Sequence, residues 1–336
     1  MPVRGREPIR RVLDFSIGEI FIMANTRRGF LQSGAALAAG LTGAGSVLAG
    51  QNAAQPPAGA PGTGPVQVPK MKFGKVEISR MVLGVNPFYG YAHNVGTYGA
   101  MMQEWYTQER VVGVMHQCTR YGINAYNYVD KSRAPQDWAR FRSEGGHMHL
   151  IIQVTAGEDS VDLVKRLQPL ALQRQGEVVD KAFLEGKLDS VKEWCKQARQ
   201  LGVMVGVGSH RPEIIARVED EGWDVDFYAG CVYNRVRTEQ EWRQALHGEM
   251  MELPGDIYMQ SDPPRMYHVL RQTKKPCFAF KILAAGRVTG AGVEQAFRTA
   301  FEYLKPNDGV FVGMFPRVKD EVKENAEIVH RILNHG

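Results

Sequence analysis

From Met71 onward the chain alternates short apolar runs with longer amphipathic ones, and the alternation holds almost to its last residues. MVLGVNP (81–87), INAYNY (123–128), HLIIQVT (149–155), PLALQ (169–173), VMVGVGS (203–209), VDFYAGCVY (225–233), CFAFKIL (277–283) and GVFVGM (309–314) have the length and composition of strands. They do not alternate cleanly between apolar and polar residues. Parallel strands covered on both faces read this way. Residues 109–122, 160–167, 189–202, 211–222, 239–251, 261–275, 293–305 and 318–333 carry helical periodicity. A small hairpin, MKFGKVEISR (71–80), opens the series, with Gly74 near its turn. Eight strands alternating with helices over 71–336 predict a (β/α)8 TIM barrel. An open doubly wound sheet is the other arrangement of such units. It usually shows a glycine-rich phosphate turn after its first strand, and LGVNPFYGYAH lacks one.

The segment ahead of the barrel reads as an address. TRRGFLQSGAALAAGLTGAGSVLAG (26–50) sets Arg27 and Arg28 before Phe30 and Leu31, then a weakly apolar Ala/Gly run. Val47, Leu48 and Ala49 offer small residues for cleavage after Ala49. The paired arginines mark a twin-arginine signal, whose partner is the twin-arginine export machinery. A membrane span needs about 20 strongly apolar residues, so no stable span is expected after processing. The predicted location is periplasmic or extracellular. Met23 would give the signal a normal short basic start, leaving 1–22 as an upstream extension of a chain numbered from Met1. Residues 50–70 hold almost no large apolar groups, cannot offset their ordering entropy, and read as a disordered linker. The predicted layout is 1–49 extension and signal, 50–70 linker, and 71–336 barrel.

Net charge is +5, with several basic residues in the first 30 positions, so the barrel itself is nearer neutral. Lys and Arg form no stripe, and no nucleic-acid partner is expected. The four cysteines make no CxxC pair and no zinc spacing; they read as small buried hydrophobes.

A barrel of this kind carries its chemistry at the C-terminal ends of its strands. That rule selects Asn86 and His93; Asn127, Tyr128 and Asp130; Gln153 and Thr155; Gln173, Gln175, Glu177 and Asp180; Ser209 and His210; Tyr233 and Asn234; Lys281; and Arg317. His210 is the best single acid–base residue. Lys281, placed by the pattern inside an apolar strand, is costly to bury unless paired or neutral. It reads as a Schiff-base lysine, a phosphate clamp, a general base, or half of an ion pair with Asp130 or Glu177. Asp130, Asp180 and His210 could offer oxygen and imidazole ligands, but no two share a helical i, i+4 spacing, and no metal site is assigned. SDPPRMY (261–267) brings Asp262 and Arg265 near the mouth, and its Ser-Asp-Pro opening reads as helix capping.

Several pieces together resemble the aldo/keto reductase family: the opening hairpin with SRMVLGVNPFYG, the second-strand text YGINAYNYVD, and GVGSHRPEIIARVEDEGWDVDFYAGCVYN. FKILAAGRVTG and GVFVGMFPRVKDEVKENAEIV resemble that family's last two strands and final helix. The resemblance spans nearly all of 71–333 and implies the same barrel. It also implies an NADP or NAD cofactor, held by Ser209, Asn234, Phe280, Lys281 and Arg317. The family's catalytic Asp, Tyr, Lys and His are not retained. Asn127 stands at the Asp position, Ser132 at the Tyr, Val154 or Thr155 near the Lys, and Gln175 near the His. Each change removes a charge or proton that carbonyl reduction uses.

The leading expectation is an exported, atypical oxidoreductase for a small polar carbonyl or sugar-like substrate, with His210, Lys281, Asp130 and Asn127 as its catalytic roster. A metal- or Schiff-base-assisted lyase or isomerase, and a non-catalytic binding barrel, are the alternatives.

Overall fold

The computed structural model describes residues 65–248 and 255–335. The expected signal and the linker up to residue 64 lie outside the described residues.

The opening hairpin is β1 (Lys70–Phe73) and β2 (Val76–Ser79), paired antiparallel. Eight parallel strands follow: β3 (Met81–Gly84), β4 (Ala125–Tyr128), β5 (His149–Val154), β6 (Ala171–Arg174), β7 (Met204–Ser209), β8 (Phe227–Cys231), β9 (Cys277–Phe280) and β10 (Gly309–Val312). They pair in chain order, and β10 pairs back onto β3 to close the barrel. The predicted TIM barrel is thus the fold. The helices are α1 (Gly96–Trp105), α2 (Gln108–Arg120), α3 (Ala134–Ser143), α4 (Ser160–Leu167), α5 (Gly176–Leu184) and α6 (Leu188–Arg199). They continue as α7 (Pro212–Asp220), α8 (Glu239–Ala245), α9 (Asp262–Gln272), α10 (Ala291–Tyr303) and α11 (Glu321–His335).

Helices α1, α3 and α5 fall where the sequence pattern marked none. Each is ten residues or fewer, too short for periodicity to stand out, and α1 and α5 open on glycine. The barrel's packing also begins before Met71. Val68 is buried, its N–H bonds the Tyr121 carbonyl at 2.9 Å, and the Gln67 amide donates to Arg120.

The hairpin plugs the N-terminal end of the barrel. Met71, Phe73 and Ile78 enter the cluster that fills the barrel interior with Val82, Ile151 and Phe311. Phe73 meets Phe227 and Phe278 edge-on, with ring centroids 5.1 and 5.3 Å apart. Phe227 lies against Gly206 on the neighbouring strand; a Cβ there would sit 2.3 Å from its ring, so glycine makes the room. This end is closed and apolar. The opposite end, where the strands finish, holds the polar groups.

Candidate active site

A cavity of about 840 Å³ opens at the C-terminal ends of the strands. Its walls include Asn86, His93, Asn127, Gln153, Thr155, Gln173, Gln175, Glu177, His210, Arg235, Phe280 and Lys281. Its centre is built by α5 packing onto the end of β7. Gly176 starts that helix close to the His210 ring, where a Cβ would stand 3.2 Å from two ring atoms. The close approach brings Asp180, one turn on, against the strand end. Asp180 Oδ2 lies 2.7 Å from His210 Nδ1, and Asp180 Oδ1 accepts the Ser209 hydroxyl at 2.6 Å. The backbone N–H of His210 also points at this carboxylate, 3.2 Å from each oxygen.

His210 is buried, and desolvation holds its pKa below the ordinary histidine value despite the Asp180 hydrogen bond. The imidazole is therefore neutral near pH 7. Asp180 has only acceptor oxygens, so Nδ1 carries the proton and Nε2 is left as a lone pair. The guanidinium nitrogen Nη1 of Arg235 is 3.5 Å from Nε2.

Arg235 is held by two carboxylates, Glu177 at 2.6 Å and Asp256 at 2.5 Å. Asp256 also meets His93 Nδ1 at 3.0 Å, and His93 Nε2 faces the Asn86 amide at 3.2 Å. Burial drives the His93 imidazole down to about 4, outweighing the Asp256 bond. It is neutral, with both ring nitrogens used. Burial opposes ionisation of Asp256, but the His93 and Arg235 hydrogen bonds prevail and keep it charged.

Lys281 lies just past β9, not inside a strand, in a left-handed conformation (φ 60°). Its expected ion-pair partners are engaged elsewhere. Asp130 takes the Tyr128 hydroxyl and Arg166, each at 2.6 Å, and Glu177 takes Arg235. Among the described residues the Lys281 ammonium has neither a hydrogen bond nor an ion pair, while its carbonyl accepts from the Ala284 N–H at 2.8 Å. Its ammonium stands 5.8 Å from the centroid of the Phe280 ring. Desolvation lowers its pKa to about 8, with Arg235 adding to the effect and the Cys231, Asp256 and Glu177 fields opposing it.

Of the four residues in the expected catalytic roster, His210, Lys281 and Asn127 line this cavity, and Asp130 does not. The Asn127 amide spans to Gln173 Oε1 at 3.3 Å and the Ile151 carbonyl at 3.4 Å. Of the residues that the resemblance assigned to a nicotinamide cofactor, Phe280 and Lys281 line the cavity. Ser209 is sealed under Asp180. Asn234 is tied to the Asp262 carboxylate and Val236. Arg317 is exposed and lines a separate surface depression with Trp105 and Gln117. The five residues do not converge on one site and do not fit that cofactor as a set.

Among the described residues no group of three or more His, Cys, Asp or Glu side chains is placed to hold a metal ion, which removes the Asp130–Asp180–His210 arrangement. Asp262 makes no capping bond; it is buried against Arg237 and the Asn234 N–H. Arg235 and Asp256 were missed by the sequence reading. Arg235 follows the sixth barrel strand by a few residues, a signal that the strand-end rule could have used. Asp256 lies in an irregular stretch that no periodicity marks.

No protein-family model and no curated protein matches this chain. Solved structures do resemble it. A protein assigned as an aldo-keto reductase from Pseudomonas aeruginosa is 14% identical, with a TM-score of 0.50, over 81% of this chain and 99% of its own. A truncated 3-deoxy-D-arabino-heptulosonate 7-phosphate synthase from Thermotoga maritima is 13% identical over 79% and 91%, TM-score 0.47. An aldo/keto reductase from Brucella melitensis is 10% identical over 80% and 93%, TM-score 0.41. At these identities the likeness is one of fold, the closed eight-stranded TIM barrel.

Proposed function

We propose that this chain is an exported enzyme acting on a small polar carbonyl compound, with His210 as its general acid–base. The observation that carries the reading is the Asp180–His210 pair. A buried carboxylate fixes the ring and its tautomer, and Nε2 keeps its lone pair at the cavity wall, met by Arg235 Nη1 at 3.5 Å. Such an atom removes a proton from carbon next to a carbonyl, or returns one to oxygen. Asp180 stabilises the imidazolium that forms. Asn127, Gln153, Gln173 and Gln175 give the cavity uncharged donors and acceptors, suited to hydroxyl and carbonyl oxygens.

The test is solvent exchange. In D2O, small hydroxy-aldehydes and hydroxy-ketones are incubated with the full chain, and deuterium entering beside the carbonyl is followed by NMR. Exchange by the wild type and its loss in His210→Gln, on the order of 10²-fold or more, supports the reading. Equal exchange in both proteins sinks it.

A second reading, a nicotinamide-linked oxidoreductase on the same carbonyl, is supported by Phe280 and Lys281, two of the residues that the family resemblance assigns to that cofactor, which both line the cavity. Titrating NADPH and NADH against cofactor fluorescence decides it. Saturable binding lost in Lys281→Ala supports it; no binding up to millimolar cofactor removes it.

A further inference from the structure

We propose that Lys281 captures the substrate covalently, its Nζ condensing with the carbonyl carbon to form an imine at the barrel mouth. This rests on the carbonyl-substrate reading above and deepens it.

Three observations converge. The first is that, among the described residues, no carboxylate pairs with the Lys281 ammonium. The nearby carboxylates are occupied: Asp180 by His210 and Ser209, Glu177 by Arg235, Asp256 by Arg235 and His93. A structural lysine in such surroundings would take one of them. The second is placement. Phe280 neighbours both reactive groups, its ring 5.4 Å from the His210 ring and 5.8 Å from the Lys281 nitrogen. Both groups line one cavity. The third is backbone. Lys281, Ala284 and Ala285 all have positive φ (60°, 48° and 52°), a conformation costly for non-glycine residues, and Lys281 and Ala285 line the cavity. Burial without a partner also keeps a share of the amine neutral near pH 8, the form that attacks carbon.

The step balances without an oxidant or reductant. The Nζ lone pair forms a bond to the carbonyl carbon, and the carbonyl π pair moves to oxygen. His210 Nε2 takes a proton from the new ammonium and delivers it to that oxygen. The proton that the Lys281 ammonium released to become nucleophilic returns to the hydroxyl and converts it into water, which leaves as the nitrogen lone pair closes the C=N bond. In sum, an ammonium and a carbonyl give a protonated imine and one water. The imine then draws electrons from the adjacent carbon, so that His210 Nε2 can take a proton from it to give an enamine.

The experiment is reductive trapping. The full chain is treated with glycolaldehyde and sodium cyanoborohydride across pH 6–10, and each lysine-containing peptide is followed by mass spectrometry. The adduct is expected on Lys281 at least about tenfold faster than on the exposed Lys181 and Lys187, with a rate that levels off near pH 8, not near the ordinary lysine value. Lys281→Met should lose that adduct alone while keeping its circular dichroism spectrum. Labelling of Lys281 no faster than Lys181 overturns the proposal. The exchange assay separates the two readings. Rapid Lys281 trapping with His210-independent exchange keeps the imine and removes the acid–base role. His210-dependent exchange without trapping removes the imine alone.

Discussion

His210 and Lys281 line one cavity beside Phe280, and each is perturbed first by the same cause, loss of water. For His210 the carboxylate of Asp180 decides the tautomer. Asp180→Asn keeps the shape but can turn an NH2 donor toward Nδ1 and favour the wrong tautomer. Solvent exchange by Asp180→Asn should fall about 10²-fold or more, with little change in substrate affinity. A second residue-scale effect concerns pH. The native His93 titrates at about 4, against 6.5 when unperturbed. Between those values the unfolded chain binds a proton that the native chain refuses, so stability is lost as pH falls from 6.5 to 4. The loss from His93 should be roughly 3 kcal/mol, and His210 acts in the same direction. Urea midpoints measured through this window should fall less steeply in His93→Gln than in the wild type.

At the scale of elements, two contacts do different jobs. The β1–β2 hairpin closes the barrel floor through Phe73, which is completely buried. Phe73→Ala should cost about 3–5 kcal/mol in urea unfolding and leave the mouth's chemistry intact in the fraction that folds. The start of α5 works the other way. In Gly176→Ala the new methyl group meets the His210 ring at 3.2 Å and must push it or the helix aside. Solvent exchange should drop severalfold, while the unfolding midpoint moves by far less than in Phe73→Ala, because a displacement of a few tenths of an ångström at the ring degrades the geometry of proton transfer. The strands were legible from their length and composition. Helices α1, α3 and α5 were not, and α5 is the one that carries Asp180 to His210. A nine-residue helix stabilised by the barrel beneath it leaves too little periodicity to read in isolation.

The whole molecule joins a predicted export signal to a barrel whose four cysteines are all buried and unpaired. Burial pushes the thiols of Cys195, Cys231 and Cys277 up to about 12 and that of Cys118 upward as well. The native protein should therefore show almost no reaction with a thiol reagent at pH 8, and four equivalents should react in urea. Export is checked by fractionation. Arg27→Lys/Arg28→Lys in the full chain should retain the protein in the cytoplasm, since the signal is read through its arginine pair. Among the described residues no helix is long and apolar enough to cross a membrane.

The sequence by itself determined the barrel. Strand length, buried-on-both-faces composition and the strand–helix period are local properties, and eight repeats of them have few ways to close. It also pointed to most of the mouth, because the C-terminal end of each strand can be read once the strand is known. What only the tertiary structure decided is which of those residues meet. Asp180 and His210 are 30 positions apart and lie 2.7 Å from each other. Asp130, adjacent to the mouth in sequence, is held by Arg166, and among the described residues the Lys281 ammonium lacks the partner that its burial called for. Pairings of this kind depend on a helix's docking angle and on competition among charges from distant segments. Neither is written in the local pattern of a strand end.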